Sequence, residues 1–152
     1  MVQKKSLLFL ISSLILAMFI SFGCDTSEST SGRNEALVGT WILTDVAITQ
    51  GGNTETFSSD YIYLMATDFP NLLEIPEIVV MNSDGSGSGT MVNGNTDNFT
   101  WTSTSSQISF TFDEETTTIA YTLSGNQLTI TMSEVDPDFG QTTIVLTYVK
   151  YQ

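Results

Sequence analysis

Side chains able to do chemistry are few in this chain and poorly placed for it. The sequence has no histidine, a single cysteine and four basic residues, two of which, Lys4 and Lys5, stand at the extreme N-terminus. A serine hydroxyl without an imidazole base is a weak nucleophile at neutral pH, and the one lysine beyond the N-terminal pair, Lys150, lies almost at the C-terminus. Carboxylate pairs occur at Glu114-Glu115 and at Asp136-x-Asp138. Both fall in stretches with turn composition, where acids act as solvated residues or local backbone acceptors. Zinc and copper would lack their preferred imidazole and thiolate ligands. Calcium needs only oxygens, and Asn82-x-Asp84-Gly85-Ser86 has the start of a calcium loop. Its glycine comes too early and no bidentate glutamate follows at the required spacing, so a tight glycine-rich hairpin explains it better. Asn98-Phe99-Thr100 fits the glycosylation sequon by letter only. These residues predict a protein that is not an enzyme, with no metal and no cofactor.

The one thiol has a different chemistry available. Lys4-Lys5 is followed by an apolar run from Leu7 to Ile20 and then by Ser21-Phe22-Gly23-Cys24. A basic start, an apolar stretch and a small residue at the cut make an export signal. The last four residues resemble a bacterial lipobox, with Ser21 where leucine is usual. The resemblance implies diacylation of the Cys24 thiol, cleavage before it, and a mature chain held to a membrane by lipid. A plain secretory signal would instead leave Cys24 as an odd thiol in an oxidising compartment. A spanning helix would need about 20 apolar residues, and this run is interrupted by Ser12 and Ser13. Cysteine use agrees with lipidation, since no second cysteine exists to form a disulfide.

Residues 1–23 are thus expected to be the signal peptide and residues 24–35 a tether. Asp25 through Glu35 contain no apolar residue, so this stretch cannot bury surface to offset the cost of ordering it. The expected location is the bacterial cell envelope, at the outer membrane, with Asp25 in the position that governs membrane sorting in some bacteria. Without the signal, Arg33 and Lys150 remain against 17 acids. Such a charge repels nucleic acid and anionic headgroups, which excludes those partners; the acids are scattered, as a soluble surface requires.

Residues 36–152 suit one domain by length, and their apolar period is 2. Leu128, Ile130 and Met132 share one face, as do Ile108, Phe110 and Phe112, and Ile119, Tyr121 and Leu123. Turn residues fall between these runs at Asp84-Gly85, Asp113-Glu114-Glu115, Gly125-Asn126 and Asp136 to Gly140. The spacing predicts eight strands, over 39–48, 77–82, 87–93, 98–103, 107–113, 117–124, 127–133 and 142–150. Asp60 to Phe69 breaks the alternation and precedes Pro70 and Pro76, which predicts a short helix or lid loop after the first strand. The fold class is all-β: an antiparallel up-and-down meander that gains most by closing into an eight-stranded barrel, because closure removes both edges.

Gly39-Thr40-Trp41, within Leu37 to Leu43, resembles the Gly-x-Trp opening strand of lipocalin-like domains. Asn82 to Gly89, Phe99-Thr100-Trp101 and Tyr121 to Ile130 resemble the Asp-Gly hairpin, the mid-chain Trp strand and the late hairpin of bacterial lipocalin-like lipoproteins. The resemblance spans nearly all of 37–150. It implies that Trp41 packs across the barrel base and that Gly39 lets backbone approach beneath it. Many lipocalins stack a late arginine on this tryptophan; here only Lys150 is available.

The resemblance further implies an apolar interior lidded by Thr56 to Pro76. The candidate wall comprises Ile108, Phe110, Phe112, Ile119, Tyr121, Ile130, Met132, Leu146 and Tyr148. A small barrel can also fill its interior with its own side chains, and the same residues serve both cases. Two functions stay open. One is a membrane-anchored, non-catalytic binder of a small apolar or amphipathic ligand. The other is an interaction or structural module with a filled barrel that meets a protein partner in the envelope.

Overall fold

The computed structural model describes residues 32–66, 75–136 and 140–152. A 3-10 turn, Glu35–Leu37, leads into β1 (Gly39–Gln50), β2 (Asn53–Ser58) and helix α1 (Ser59–Ala66). Then come β3 (Pro76–Met81), β4 (Ser86–Met91), β5 (Thr96–Ser103), β6 (Gln107–Phe112), β7 (Glu115–Ser124), β8 (Gln127–Asp136) and β9 (Gly140–Lys150). From β3 onward every strand pairs antiparallel with the next, and β9 pairs back onto β1. The eight-stranded, up-and-down closure expected from the alternation is therefore present.

The sheet holds one strand more than the alternation shows. One edge of β1 is shared: Gly39–Ile42 pair with β3, and Asp45–Gln50 pair with β2. Strands β2 and β3 together fill a single strand position of the barrel, interrupted by α1 and the segment that reaches Ile75. Asn53-Thr54-Glu55-Thr56 hides this strand because it offers no apolar residue before Phe57. The signal that could have found it is Gly51-Gly52, a two-residue hairpin connection directly after β1. The expected helix falls on α1, and residues 67–74 of the expected lid lie outside the described residues.

The pleat sorts the side chains. Outward positions carry five hydroxyl pairs across four strand junctions: Thr49–Thr54, Thr90–Thr96, Ser109–Thr118, Thr111–Thr116 and Ser133–Thr143, at 2.7 to 3.1 Å. Inward positions carry the core. In β1 the inward set is Trp41 and Leu43, then Val46 and Ile48, a change of phase that plain alternation cannot make. A β-bulge at Thr44 supplies the change, since Leu43 opposes Tyr148 and Asp45 opposes Thr147. Thr44 Oγ1 donates to the Thr147 carbonyl at 3.2 Å, so the bulge is hydrogen-bonded and Asp45 is turned away from the core.

One end of the barrel is sealed by the chain's own N-terminal segment. Leu37 is fully buried there, beside Trp41 and Trp101. Trp41 Nε1 donates to the Leu37 carbonyl at 2.7 Å. Lys150 Nζ lies 5.3 Å from the Trp41 ring centroid and donates to the Ala36 carbonyl at 3.0 Å. Lys150 thus sets a cation over the face of Trp41. Gly39 makes room for it: a Cβ there would sit 2.6 Å from Lys150 Cε, and its φ of +139° disfavours a side chain as well. Asn34 ties the seal to the far wall, its amide N–H donating to Ser103 Oγ at 2.9 Å and its Nδ2 to Tyr121 Oη at 3.0 Å. The Tyr121 hydroxyl in turn donates to the Thr104 carbonyl at 2.9 Å. Arg33 donates to the Ser83 carbonyl and packs on Gly85. The barrel and its seal lie wholly within Arg33–Gln152, a unit that closes on itself.

Three stability changes follow from this base and its opposite rim. Trp41→Ala is expected to cost about 3–5 kcal/mol by core truncation, whereas Lys150→Met should cost about 0.5–1 kcal/mol, the worth of an exposed cation–π contact. Urea unfolding of both variants checks the order; equal losses would mean that Trp41 does not close the base. At the β6–β7 hairpin, Asp113 and Glu114 both have positive φ, 43° and 78°. Glu114→Gly should stabilise by about 0.5–1 kcal/mol, relief of left-handed backbone strain less the entropy glycine adds to the unfolded chain. A lower unfolding midpoint for that variant would contradict it.

Candidate functional site

Strands β1, β9 and β8 stack their inward residues in rows that climb from the sealed base to the other end. Directly opposed partners share a face, so the register alone defines each row. The lowest is Leu43, Tyr148 and Leu128; the next is Val46, Leu146 and Ile130; the third is Ile48, Ile144 and Met132. The fourth holds Gln50 and Thr142. Three rows are apolar except for one phenol, and the fourth is polar.

Tyr148, in the lowest row, is 1% exposed and donates its hydroxyl to the Pro76 carbonyl at 3.0 Å. That bond reaches past β1 to the point where the interrupted strand position resumes, and it pins β3 from inside. Burial pushes the phenol well above its ordinary pKa, so it stays a neutral donor.

The top row is polar and incomplete. Thr142 is 3% exposed, yet Oγ1 has no hydrogen-bond partner, and neither does the buried Nε2 of Gln50 opposite it. A buried polar atom left unpaired costs about 1–3 kcal/mol, and such atoms are uncommon in folded proteins.

The facing wall is aromatic. Phe99 meets Phe110 edge-on at 5.1 Å between centroids and Phe112 at 5.5 Å. The Phe99 ring lies on the bare backbone of β4, where a Cβ on Gly87 would collide with it and sit 2.6 Å from the Val80 carbonyl oxygen. Ile119 opposes Ile108 across β6 and β7. Ile108 is fully buried, while Phe112, Ile119 and, on β8, Met132 stay partly exposed.

Helix α1 sits against the upper half of β1 and β2. Phe57, opposite Val46, stacks on Tyr61 at 5.6 Å with the ring planes 9° apart. Ile62 and Ile75 are buried, and Tyr61 is 44% exposed. Charge around this upper end is of one sign. By alternation from their buried neighbours, Glu55, Asp97 and Glu115 occupy the inward register near the rim, and all three are exposed. The described cations, Arg33 and Lys150, both belong to the base.

The predicted wall residues are thus distributed by height. Ile130, Met132 and Leu146 come together on β8 and β9, and Phe110, Phe112 and Ile119 on β6 and β7. Tyr148 lies lower, and Tyr121 lies in the base network beside Asn34 and Thr104. Gly39 and Trp41 are at the base. Sequence reading missed Gln50, Thr142, Phe99, Phe57 and Ile62. A polar residue in the inward phase of an otherwise apolar strand was the available signal for Thr142.

The acid motifs resolve differently. Asp84 accepts from Ser86 N–H at 2.9 Å and Ser86 Oγ at 2.7 Å, and those bonds, with Arg33 adding to them, hold its carboxyl below the ordinary range. It is a hairpin brace. Glu114 is in the β6–β7 turn and Glu115 opens β7, both exposed. Among the described residues no three carboxylates gather within reach of one ion. Cys24 and Asp138 lie outside the described residues.

No protein-family model matches the chain, and no curated protein does. Among solved structures, the chain is similar to aphrodisin, a sex pheromone from female hamster, with 10% identity and a TM-score of 0.38 over 76% of each chain. A likeness of that size carries no argument, and the barrel rests on its own strand order and closure.

Proposed function

We propose that the chain is a lipid-anchored, non-catalytic binding protein of the bacterial cell envelope, whose lipocalin-like barrel takes a small apolar or amphipathic molecule at the end opposite its base. The observation that carries this reading is the contrast between the two ends. The base is sealed by Leu37, Trp41 and Trp101, each at most 1% exposed, whereas Phe112 and Met132 face inward toward the other end only partly covered. Apolar walls with a few polar groups are the usual make-up of a small-molecule site. The absence of histidine and of a base for serine supports a role without catalysis.

Anchoring through Cys24 is supported by Lys4-Lys5, the apolar run and the lipobox-like Ser21 to Cys24. The outer membrane is the proposed site, with Asp25 as the sorting position. A second reading, a docking module for an envelope protein, draws on Tyr61, an exposed aromatic stacked on Phe57 beside the rim.

Native mass spectrometry on protein purified gently from its host is expected to show one small molecule bound per chain. A clean apo mass, with no uptake of fatty-acid or aromatic probes, would favour the docking module. For the anchor, Cys24→Ser should abolish incorporation of labelled fatty acid and leave unprocessed precursor; unchanged labelling would remove that part of the proposal.

A further inference from the structure

The upper row of β1, β9 and β8 contains two buried polar atoms that the fold leaves unused. Thr142 is 3% exposed on the inward face of β9, and its Oγ1 bonds to nothing. Gln50, directly opposite on β1, buries Nε2 without a partner. Barrel packing alone has no need of either group. A valine in place of Thr142 would fill the same volume and spare the unmade hydrogen bond. Both atoms sit where the apolar rows end, at the height at which the polar head of an amphipathic molecule would come to rest with its tail along Ile48, Ile144 and Met132.

We propose that Gln50 and Thr142 form the head-group anchor of the barrel's ligand, and that they select an uncharged hydrogen-bonding head, above all a hydroxyl, against a carboxylate. This rests on the reading of the barrel as a binder. One alcohol oxygen accepts from Gln50 Nε2 while its own hydrogen is donated to Thr142 Oγ1, so a single hydroxyl satisfies both atoms. A carboxylate can take one hydrogen bond from each group, but once stripped of water it needs a cation or more donors than these two around it. The described cations lie at the opposite pole, Arg33 on Ser83 and Lys150 over Trp41. The upper rim carries Glu55, Asp97 and Glu115, which repel an approaching anion. Lipid-like molecules ending in an alcohol or glycerol fit this arrangement; free fatty acids do not.

The test is competition against N-phenyl-1-naphthylamine, an uncharged fluorescent probe, on the chain from Asp25 to Gln152, which contains the whole self-closed barrel. 1-Decanol and decanoate are titrated below their aggregation limits near pH 8, where the acid is fully ionised. Decanol should displace the probe at a concentration about ten-fold or more below that of decanoate. Thr142→Val and Gln50→Leu should each weaken decanol about five- to ten-fold, with displacement corrected for the probe's affinity measured on each variant. Thr142→Val should also raise the thermal midpoint of the ligand-free protein, since it deletes a buried hydroxyl that lacks a partner.

Decanoate binding as tightly as decanol would overturn the head-group selection with barrel binding intact. A preference for decanol that survives both variants would overturn the assignment to these residues. A lower ligand-free midpoint for Thr142→Val would show that the hydroxyl is already satisfied in the empty barrel, and would overturn the anchor. If neither the probe nor either amphiphile binds, the binder reading fails and takes the anchor with it.

Discussion

Everything in this molecule depends on the pairing of its first strand with its last. Strand β1 runs antiparallel to β9 from Trp41 opposite Lys150 to Gln50 opposite Thr142, with only the Thr44 bulge in between. That single ladder closes the sheet, so that β2, which pairs with β1 alone, keeps an open edge, and it sets the heights of the inward rows. It also brings Lys150 onto Trp41 at one extreme and Thr142 beside Gln50 at the other. A slip of one residue would turn Trp41 and Leu43 out to solvent and Thr40 and Ile42 in. The bulge is part of the same constraint, because without it Asp45 would point into the core instead of Val46.

The two poles of the barrel are built on opposite principles. At the base, Arg33 Nε is buried without a partner, but Asn34, Tyr121 and Lys150 are all hydrogen-bonded, and the tryptophan indoles both donate to carbonyls. At the other pole, apolar side chains remain partly open and two buried polar atoms stay unpaired. Natural proteins place such local departures from good packing where function requires them and hold them in place with stability drawn from elsewhere. Here the holding comes from the base and from Tyr148, whose hydroxyl clamps the interrupted strand position below the open rows.

Much of this was legible in the chain. Alternation placed eight strands within a few residues of their ends, because half-buried strands show period 2 directly. Gly39 and Trp41 marked the base through a motif with a steric reason behind it. Depth was not legible. Period 2 says that Tyr121 and Met132 face inward, but only the register says that Tyr121 reaches the base while Met132 stands near the rim. Strand β2 was hidden because its polar, exposed face carries no pattern beyond Phe57. Gln50 was hidden because the bulge at Thr44 shifts its phase, and Thr142 because a threonine passes as an ordinary strand residue although its phase points inward.

The number of strand positions in the barrel has a geometric effect of its own. Eight is even, so a meander that starts upward from the base must return to it, and β2 does not disturb this because it shares a position with β3. Gly32 and Gln152 therefore leave the barrel at the same pole, the plugged one. Whatever is joined to either end of the chain, a tether, a surface or a second protein, is kept at the far side of the molecule from the rim. Parity thus gives the barrel a front and a back: it can be held by either terminus without being covered.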